Sequence, residues 1–198
     1  MFRRSWLKNG VVLMAAVVAT LSMLSYDAQA QLKPFKISGK GVAPLGLPLP
    51  GDPDGPRPHT IVGTATHLGK HNGAGSIKTD INNFVVHGDG SITGEFGSKA
   101  PFVFTGANGD ILSCNYGRTD LGASTPGTFT LIPVGDGLYM AFFIAEFVPI
   151  SADCTGKFKG VTGSWVMYAA TEPFALGTSS ACEYSWEGSG ELTFQKGK

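Results

Sequence analysis

The stretch EYSWEGSGELTFQ, residues 183–195 of a 198-residue chain, decides the fold class. Aromatic, aliphatic and glycine residues occupy every second position from Tyr184 to Phe194, and polar or acidic residues occupy the positions between them. A period of two places the two sets of side chains on opposite faces of a β-strand. The stretch therefore predicts a half-buried strand near the carboxyl end of the chain.

Similar short segments recur along the chain, separated by glycine-rich turns and without helical periodicity. Asn108-Gly109 and Gly135-Asp136-Gly137 are typical of tight hairpin turns, because these residue types tolerate positive φ angles. The pattern predicts an all-β fold with strands at 34–41, 59–68, 73–79, 91–96, 101–106, 110–117, 127–134, 138–149, 163–171 and 183–195.

Two of these segments, 138–149 and 165–170, are apolar on both faces. Half-wet and doubly apolar strands together predict an antiparallel closed β-barrel of about eight main strands. Its outer wall would be partly covered, for example by a second copy of the chain in a homo-oligomer. A sandwich of two sheets is the alternative.

The first thirty residues have the layout of a signal peptide: a basic start, an apolar run over 11–24 and the small-residue sequence Ala28-Gln29-Ala30. We expect a signal peptide at 1–30, one domain at 31–198 and a secreted or periplasmic protein without a membrane span. The Sec route is favoured over the twin-arginine route that RRSWLK resembles. A membrane anchor is the alternative, but the apolar run is shorter than the roughly 20 residues that span a bilayer.

Composition excludes one large class of function. After residue 30 the chain is slightly acidic and contains no basic run, so the charge pattern of a nucleic-acid binder is missing. Half of the 12 prolines fall within 42–58, which predicts a stiff, extended loop across one end of the barrel or, alternatively, a partner-binding segment.

Three glycines surround one phenylalanine in GKFKGVTGSW, residues 156–165. Gly156, Gly160 and Gly163 around Phe158 predict a barrel corner with the phenyl ring in the interior. The segment resembles the G-x-F-x-G-x-x-G segment of allene oxide cyclase and dirigent proteins, which are calycin-like eight-stranded barrels and often trimers. Together with ATHLGK (65–70) and ANGD (107–110), it is also similar to bacterial secreted barrels of that class without an assigned activity. The cyclase's catalytic residues have no matching positions here, so the resemblance implies a fold and not a reaction.

Glu146 is the only charged residue in the apolar segment 138–148. Facing a barrel interior, its carboxyl group would have a raised pKa and could serve as a general acid or a polar anchor. Alternatively, it lies near the strand end before Pro149 and reaches solvent or a lysine. The aromatic residues predicted to line a ligand cavity are Phe142, Trp165, Tyr184 and Trp186.

Cysteine and histidine patterns predict neither a metal site nor a cofactor. Of three cysteines, Cys114 is predicted to be buried and free, which leaves Cys154 and Cys182 either as a disulfide or as two further thiols. The four histidines lack partners at ligand-like spacing and are interpreted as turn or edge residues. Asp52-Pro53-Asp54-Gly55 lacks the remaining ligands of a calcium loop.

Three functions fit these patterns. The first, which we predict, is a secreted barrel that binds a small apolar ligand or a surface component. The second is a cofactor-free cyclase or isomerase that uses Glu146 with a nearby tyrosine or histidine, and the third is a structural envelope protein with a solid core. A small eight-stranded barrel can be filled by side chains or can hold one ligand, so whether the protein is an enzyme stays open.

Overall fold

A computed structural model describes residues 30–44, 57–176 and 181–195. The predicted signal peptide, apart from Ala30, and most of the proline-rich segment lie outside these residues. In the described ranges the secondary structure consists of β-strands and two single turns of 3-10 helix, at Thr119–Leu121 and Gly156–Phe158. The strands are β1 (Gln31–Pro44), β2 (Arg57–Ala65), β3 (Gly69–Val86), β4 (Ile92–Gly106), β5 (Ile111–Tyr116), β6 (Gly127–Gly135), β7 (Leu138–Pro149), β8 (Thr162–Thr171), β9 (Phe174–Ala175) and β10 (Ala181–Phe194).

All ten strands belong to one antiparallel sheet, and eight of them form a closed ring. The ring runs from β1 through β10, β8, β7, β5, β4, β3 and β2 back to β1. Its longest pairing joins the two ends of the described chain, from Gln31 opposite Phe194 to Pro44 opposite Ala181. β6 pairs with the same two strands as β5, namely β4 and β7, but over other residues of each. β9 pairs with β7. The two-sheet alternative does not describe this arrangement.

Each predicted segment overlaps a strand of the structure. The bounds differ most at 73–79, where β3 runs from Gly69 to Val86, and at 59–68 the strand β2 ends early, at Ala65. Two further differences concern the number of strands. The segments predicted at 91–96 and 101–106 are one strand, β4, because Ser98 and Ala100 between them pair with β3. The register of that pairing shifts on both sides of Ser76, which lies opposite Ala100. The next residue, Pro101, cannot donate a ladder hydrogen bond, and this is typical of a bulge. The second difference is the two-residue strand β9, which no sequence pattern predicted.

The two predicted hairpins form, with different turn geometries. Between β4 and β5, only Gly109 has a positive φ, of 84°, and its N–H donates to the carbonyl of Gly106 over 2.9 Å. The N–H of Gly106 donates to the carbonyl of Asp110, which closes a three-residue loop in place of the primed turn that Asn-Gly favours. Between β6 and β7, Gly135, Asp136 and Gly137 have φ angles of 99°, 53° and 73°.

The GKFKGVTGSW segment leads the chain from a 3-10 turn into β8. Phe158 is fully buried, and Gly156, Gly160 and Gly163 have φ angles of 59°, 72° and 106°. A Cβ atom on Gly163 would lie 2.4 Å from the carbonyl oxygen of Glu191. Glycine at this position therefore allows β8 to begin in close contact with β10.

The alternation predicted for the last strand is confirmed. Glu183, Glu187 and Glu191 are exposed, whereas Trp186 and Leu192 between them are buried. The same inner face explains much of the glycine content, because large rings lie directly over glycines of the neighbouring strand. A Cβ atom on Gly41 would lie 2.3 Å from the ring of Tyr184, and one on Gly188 would lie 2.6 Å from the indole of Trp165.

β7 is apolar on both faces, as its sequence predicted. Ala141 and Ala145 are buried on the inner face, whereas Phe142 and Ile144 point outward and are 41% and 46% exposed. Tyr168 lies opposite Ile144 on β8 and is 51% exposed. An apolar strip therefore crosses the outer face of the ring in the single chain.

The contact between rings and glycines gives a stability prediction. We expect Gly188→Ala to lower the free energy of unfolding by about 1–3 kcal/mol, because the added methyl group overlaps Trp165 and the carbonyl oxygen of Val166. Gly88→Ala is the matched control, since Gly88 is exposed, has no heavy atom near a built Cβ and has no positive φ. We expect the control to change stability by less than about 0.5 kcal/mol. Urea unfolding measures both, and equal midpoints would contradict the proposed overlap.

Candidate functional site

The interior of the ring is solid at one end and contains a cavity toward the other. The solid part includes the fully buried side chains of Phe35, Leu112, Phe158, Val161, Trp165 and Leu192. The cavity has a volume of about 50 Å³, counted over the positions that the centre of a water molecule can take. One water needs about 10–15 Å³ on that measure, so the cavity has space for about three to five water-sized groups.

All eight strands of the ring contribute to the cavity wall. Most of the wall is apolar, and none of the described residues that line it is an aspartate, glutamate, lysine or arginine. Its floor is formed by the stacked rings of Phe147 and Tyr116, at a centroid distance of 4.8 Å, and Trp165 lies beneath Phe147 at 4.2 Å. The site is therefore a small hydrophobic chamber with an aromatic floor.

One histidine and two tyrosines form a connected polar cluster in this wall. Nε2 of His59 lies 3.1 Å from the hydroxyl oxygen of Tyr116, and Nδ1 of His59 lies 3.3 Å from the hydroxyl oxygen of Tyr184. The edge of Phe102 packs against the imidazole at a centroid distance of 4.9 Å. We call His59, Tyr116 and Tyr184 the polar chain.

Three strands that are distant in sequence bring the polar chain together. His59 lies on the inner face of β2, in phase with the buried Ile61, and Tyr116 ends β5. Tyr184 lies near the start of β10, where its ring covers Gly41 of β1 and its hydroxyl group reaches His59. A side chain larger than hydrogen at position 41 would displace this ring.

Burial keeps the polar chain uncharged at neutral pH. Burial lowers the pKa of His59 to about 4, because the cationic imidazolium loses its hydration. Burial also raises the pKa of both phenols, and repulsion between the two phenolates adds to the effect at Tyr116. The chamber therefore presents hydrogen-bonding groups without a net charge.

The structure brings two of the four predicted aromatic residues to the cavity. Tyr184 and Trp186 line it. Trp165 is buried beneath Phe147 and belongs to the solid part of the interior. The prediction for Phe142 is wrong, because this side chain lies on the outer face of β7 and Phe143, one residue later, lines the cavity instead.

Glu146 shares the outer face of β7 with Phe142 and Ile144, so its predicted place at the cavity is also wrong. Its carboxylate accepts hydrogen bonds from the backbone N–H and the hydroxyl group of Ser124, in the loop between β5 and β6. Partial burial raises the pKa of Glu146, but hydrogen bonds from Ser124 and Ser164 outweigh burial, and the net pKa lies below its ordinary value. Glu146 is an anchor for this loop.

The three cysteines are buried, and all are free thiols in the structure. Cys154 lies against β5, with its sulfur 3.4 Å from the backbone nitrogen of Ser113. The thiol of Cys182 lies 3.5 Å from the carbonyl oxygen of Glu172. The disulfide considered for Cys154 and Cys182 is therefore not formed, whereas Cys114 is buried as predicted.

Sequence reasoning missed His59 and Tyr116 as site residues. The alternation of side chains indicates an inward position for both residues. His59 shares the apolar face of β2 with Ile61, and Thr60 between them points outward. Tyr116 shares a face with Leu112 and Cys114 on β5. The missing information was the pairing across the ring, because nothing in the sequence brings residues 59, 116 and 184 together.

Within the described ranges, no set of three or more histidine, cysteine, aspartate or glutamate side chains is placed to hold a metal ion. The motif Asp52–Gly55 lies outside these ranges. Among the described residues there is also no helix with the length and apolar character needed to cross a bilayer.

Comparison with models of protein families, with curated proteins and with solved structures found no match to the chain.

The pKa of His59 gives a prediction of stability against pH. The unfolded state binds a proton near pH 6.5 and the folded state only near pH 4, so the contribution of His59 is complete above about pH 6.5 and is lost as the pH falls toward 4. We expect this loss to reach about 3 kcal/mol. His59→Phe removes the titrating group, so the variant should lose less stability than the wild type between pH 7 and 4. Urea unfolding at each pH checks this, and parallel pH curves would contradict it.

The low pKa of Glu146 gives a second prediction, in which folding favours the charged form of the group and not the neutral form. The ionised carboxylate stabilises the folded state, and this contribution disappears as the pH falls below the ordinary value for glutamate, about 4.3. Because the group is partly exposed, we expect Glu146→Gln to cost only about 0.5–1 kcal/mol at pH 7. The difference from the wild type should decrease as the pH falls below that value. A difference that stays constant as the pH falls would show that the charge has no part in the effect.

Proposed function

We propose that this protein binds a small, neutral, largely apolar molecule inside the ring of strands. The observation that carries the proposal is the chamber itself, an apolar cavity with an aromatic floor and an uncharged cluster of hydrogen-bonding groups in its wall. Ligand sites in proteins combine a mostly hydrophobic lining with a few fixed polar groups in this way. The cavity also favours ligand binding over the alternative of an envelope protein with a solid core.

The pKa shifts favour binding over acid–base catalysis. A general base or acid works best when its pKa lies near the operating pH. Burial moves the pKa of His59 and the pKa of both phenols away from neutral pH. The imidazole is therefore a weaker base and the phenols are weaker acids. Glu146, on which the predicted cyclase or isomerase depended, lies on the outer face. We therefore rank binding above the enzymatic alternative.

The proposal includes three expectations from the sequence. They are export directed by residues 1–30, a calycin-like barrel related to the allene oxide cyclase and dirigent class, and assembly into a homo-oligomer. The closed ring of eight strands supports the second expectation at the level of architecture. The exposed apolar strip of Phe142, Ile144 and Tyr168 supports the third, because surfaces of this kind are often covered by a partner.

A cavity-filling variant tests the proposed function. We expect the hydrocarbon 2-methyl-1-butene, with five heavy atoms, to bind to the wild type and shift the NMR resonance of the Trp186 indole N–H. Ala169→Leu should weaken binding roughly tenfold or more, because Ala169 lines the cavity and three added carbons occupy its space. Ala170→Leu is the matched control, since position 170 is the next residue and points to the outer face of β8.

The control variant should bind the hydrocarbon as the wild type does. Equal affinities of the two variants would show that filling the chamber has no specific effect and would contradict a binding site there. Absence of binding to the wild type, up to the solubility of the probe, would end the proposal.

A further inference from the structure

The polar chain contains one more hydrogen-bond donor than its own contacts can use. A neutral imidazole has one N–H and one lone pair, and each phenol has one O–H. His59 contacts Tyr116 through one ring nitrogen and Tyr184 through the other. Three protons are therefore available for two internal hydrogen bonds.

Only two arrangements satisfy both contacts. If the proton is on Nε2 of His59, the imidazole donates to Tyr116, Tyr184 donates to Nδ1, and the O–H of Tyr116 is free. If the proton is on Nδ1, the imidazole donates to Tyr184, Tyr116 donates to Nε2, and the O–H of Tyr184 is free. Both phenols cannot donate to the ring at once, because only one nitrogen has a lone pair. Either tautomer leaves one phenolic O–H without an acceptor inside the polar chain.

The free O–H has no acceptor from the protein in the described part of the chain. In those ranges His59 is the one hydrogen-bond partner of each of the two hydroxyl groups. Both tyrosines line the cavity, so the free donor belongs to its wall. A buried donor without a partner is unfavourable, whereas a phenol oxygen that already makes one hydrogen bond is satisfied. The polar chain therefore needs an acceptor more than it needs a donor.

The wall also restricts the charge of that acceptor. The cavity lining contains no lysine or arginine within 30–44, 57–176 and 181–195, and burial holds His59 in its neutral form at pH 7. A carboxylate or phosphate would lose its hydration without gaining a cation, which is strongly unfavourable in an apolar site. A carbonyl oxygen accepts a hydrogen bond and carries no net charge.

We infer that the chamber is selective for neutral carbonyl compounds, such as small ketones and aldehydes, whose oxygen accepts the free phenolic hydrogen bond of the polar chain. This inference rests on the proposed function and adds the chemical class of the ligand to it. The acceptor can be met by Tyr116 or by Tyr184, since the two tautomers of His59 exchange the free donor between them.

The test compares two probes of the same shape. Butanone and 2-methyl-1-butene have the same five-heavy-atom skeleton and differ only in an oxygen atom in place of a methylene group. Affinities are measured by NMR titration for the wild type and for the triple variant His59→Phe/Tyr116→Phe/Tyr184→Phe. Replacing all the partners of a polar cluster by apolar groups of similar shape can be nearly neutral for stability, so we expect the triple variant to fold.

The expected result is a change in preference. The ratio of butanone affinity to hydrocarbon affinity should be roughly 2- to 10-fold higher in the wild type than in the triple variant, which corresponds to one net hydrogen bond. Comparing ratios between proteins cancels the different hydration of the two probes in water. An unchanged ratio, with both probes bound, overturns the inference and leaves the proposed function standing. No binding of either probe to the wild type overturns the proposed function and the inference together.

An infrared measurement on the wild type tests whether the oxygen accepts a hydrogen bond, and it does not depend on the variant. The carbonyl stretch of bound, 13C-labelled butanone should lie below its position in cyclohexane, because a phenolic donor weakens the C=O bond. A stretch at the cyclohexane position would show that the oxygen accepts no hydrogen bond and would overturn the inference, even if the triple variant failed to fold.

Discussion

The packing of large rings against glycines of neighbouring strands is the constraint on which the structure depends. Tyr184 lies over Gly41, Trp165 over Gly188 and Phe102 over Gly73, each too close to admit a Cβ atom. A ring of eight strands encloses a narrow interior, and bulky side chains on every inward position would not fit. Glycine on one strand makes space for an aromatic ring on the next. The high glycine content is therefore a packing requirement as well as a source of turns.

The same packing explains why polar groups can be buried beside an apolar cavity. The large rings fix the phenols of Tyr116 and Tyr184 on opposite sides of His59, so that each internal hydrogen bond is made without water. Desolvation keeps all three groups neutral, which limits the cost of burying them. The cluster has three donor protons for two internal hydrogen bonds, so one donor remains in the cavity wall. The rings over glycines thus determine both the shape of the chamber and its chemistry.

The sequence predicted the elements of the fold better than the site. The alternation in β10, the position of nearly every strand and the burial of Phe158 follow from a period of two and from glycine placement. These signals are local. The polar chain is not local, because it depends on the order of β2, β5 and β10 around the ring and on the direction in which the ring of Tyr184 crosses Gly41. No pattern within one strand contains that information.

β7 shows how one missing piece of information changed the functional interpretation. A strand that is apolar on both faces has two possible phases, and a shift of one residue reverses every side chain. Phe142 and Glu146 share one phase, Phe143 and Phe147 the other, and hydrophobicity does not separate them. The carboxylate of Glu146 separates the two phases, because a charge without a neighbouring cation favours the face that is in contact with solvent. Placing Glu146 outward moves Phe143 and Phe147 to the cavity, and no carboxylate remains among the described residues of its wall. The site predicted as acid–base is therefore replaced by a neutral chamber. Selectivity in such a chamber must come from hydrogen bonding and shape.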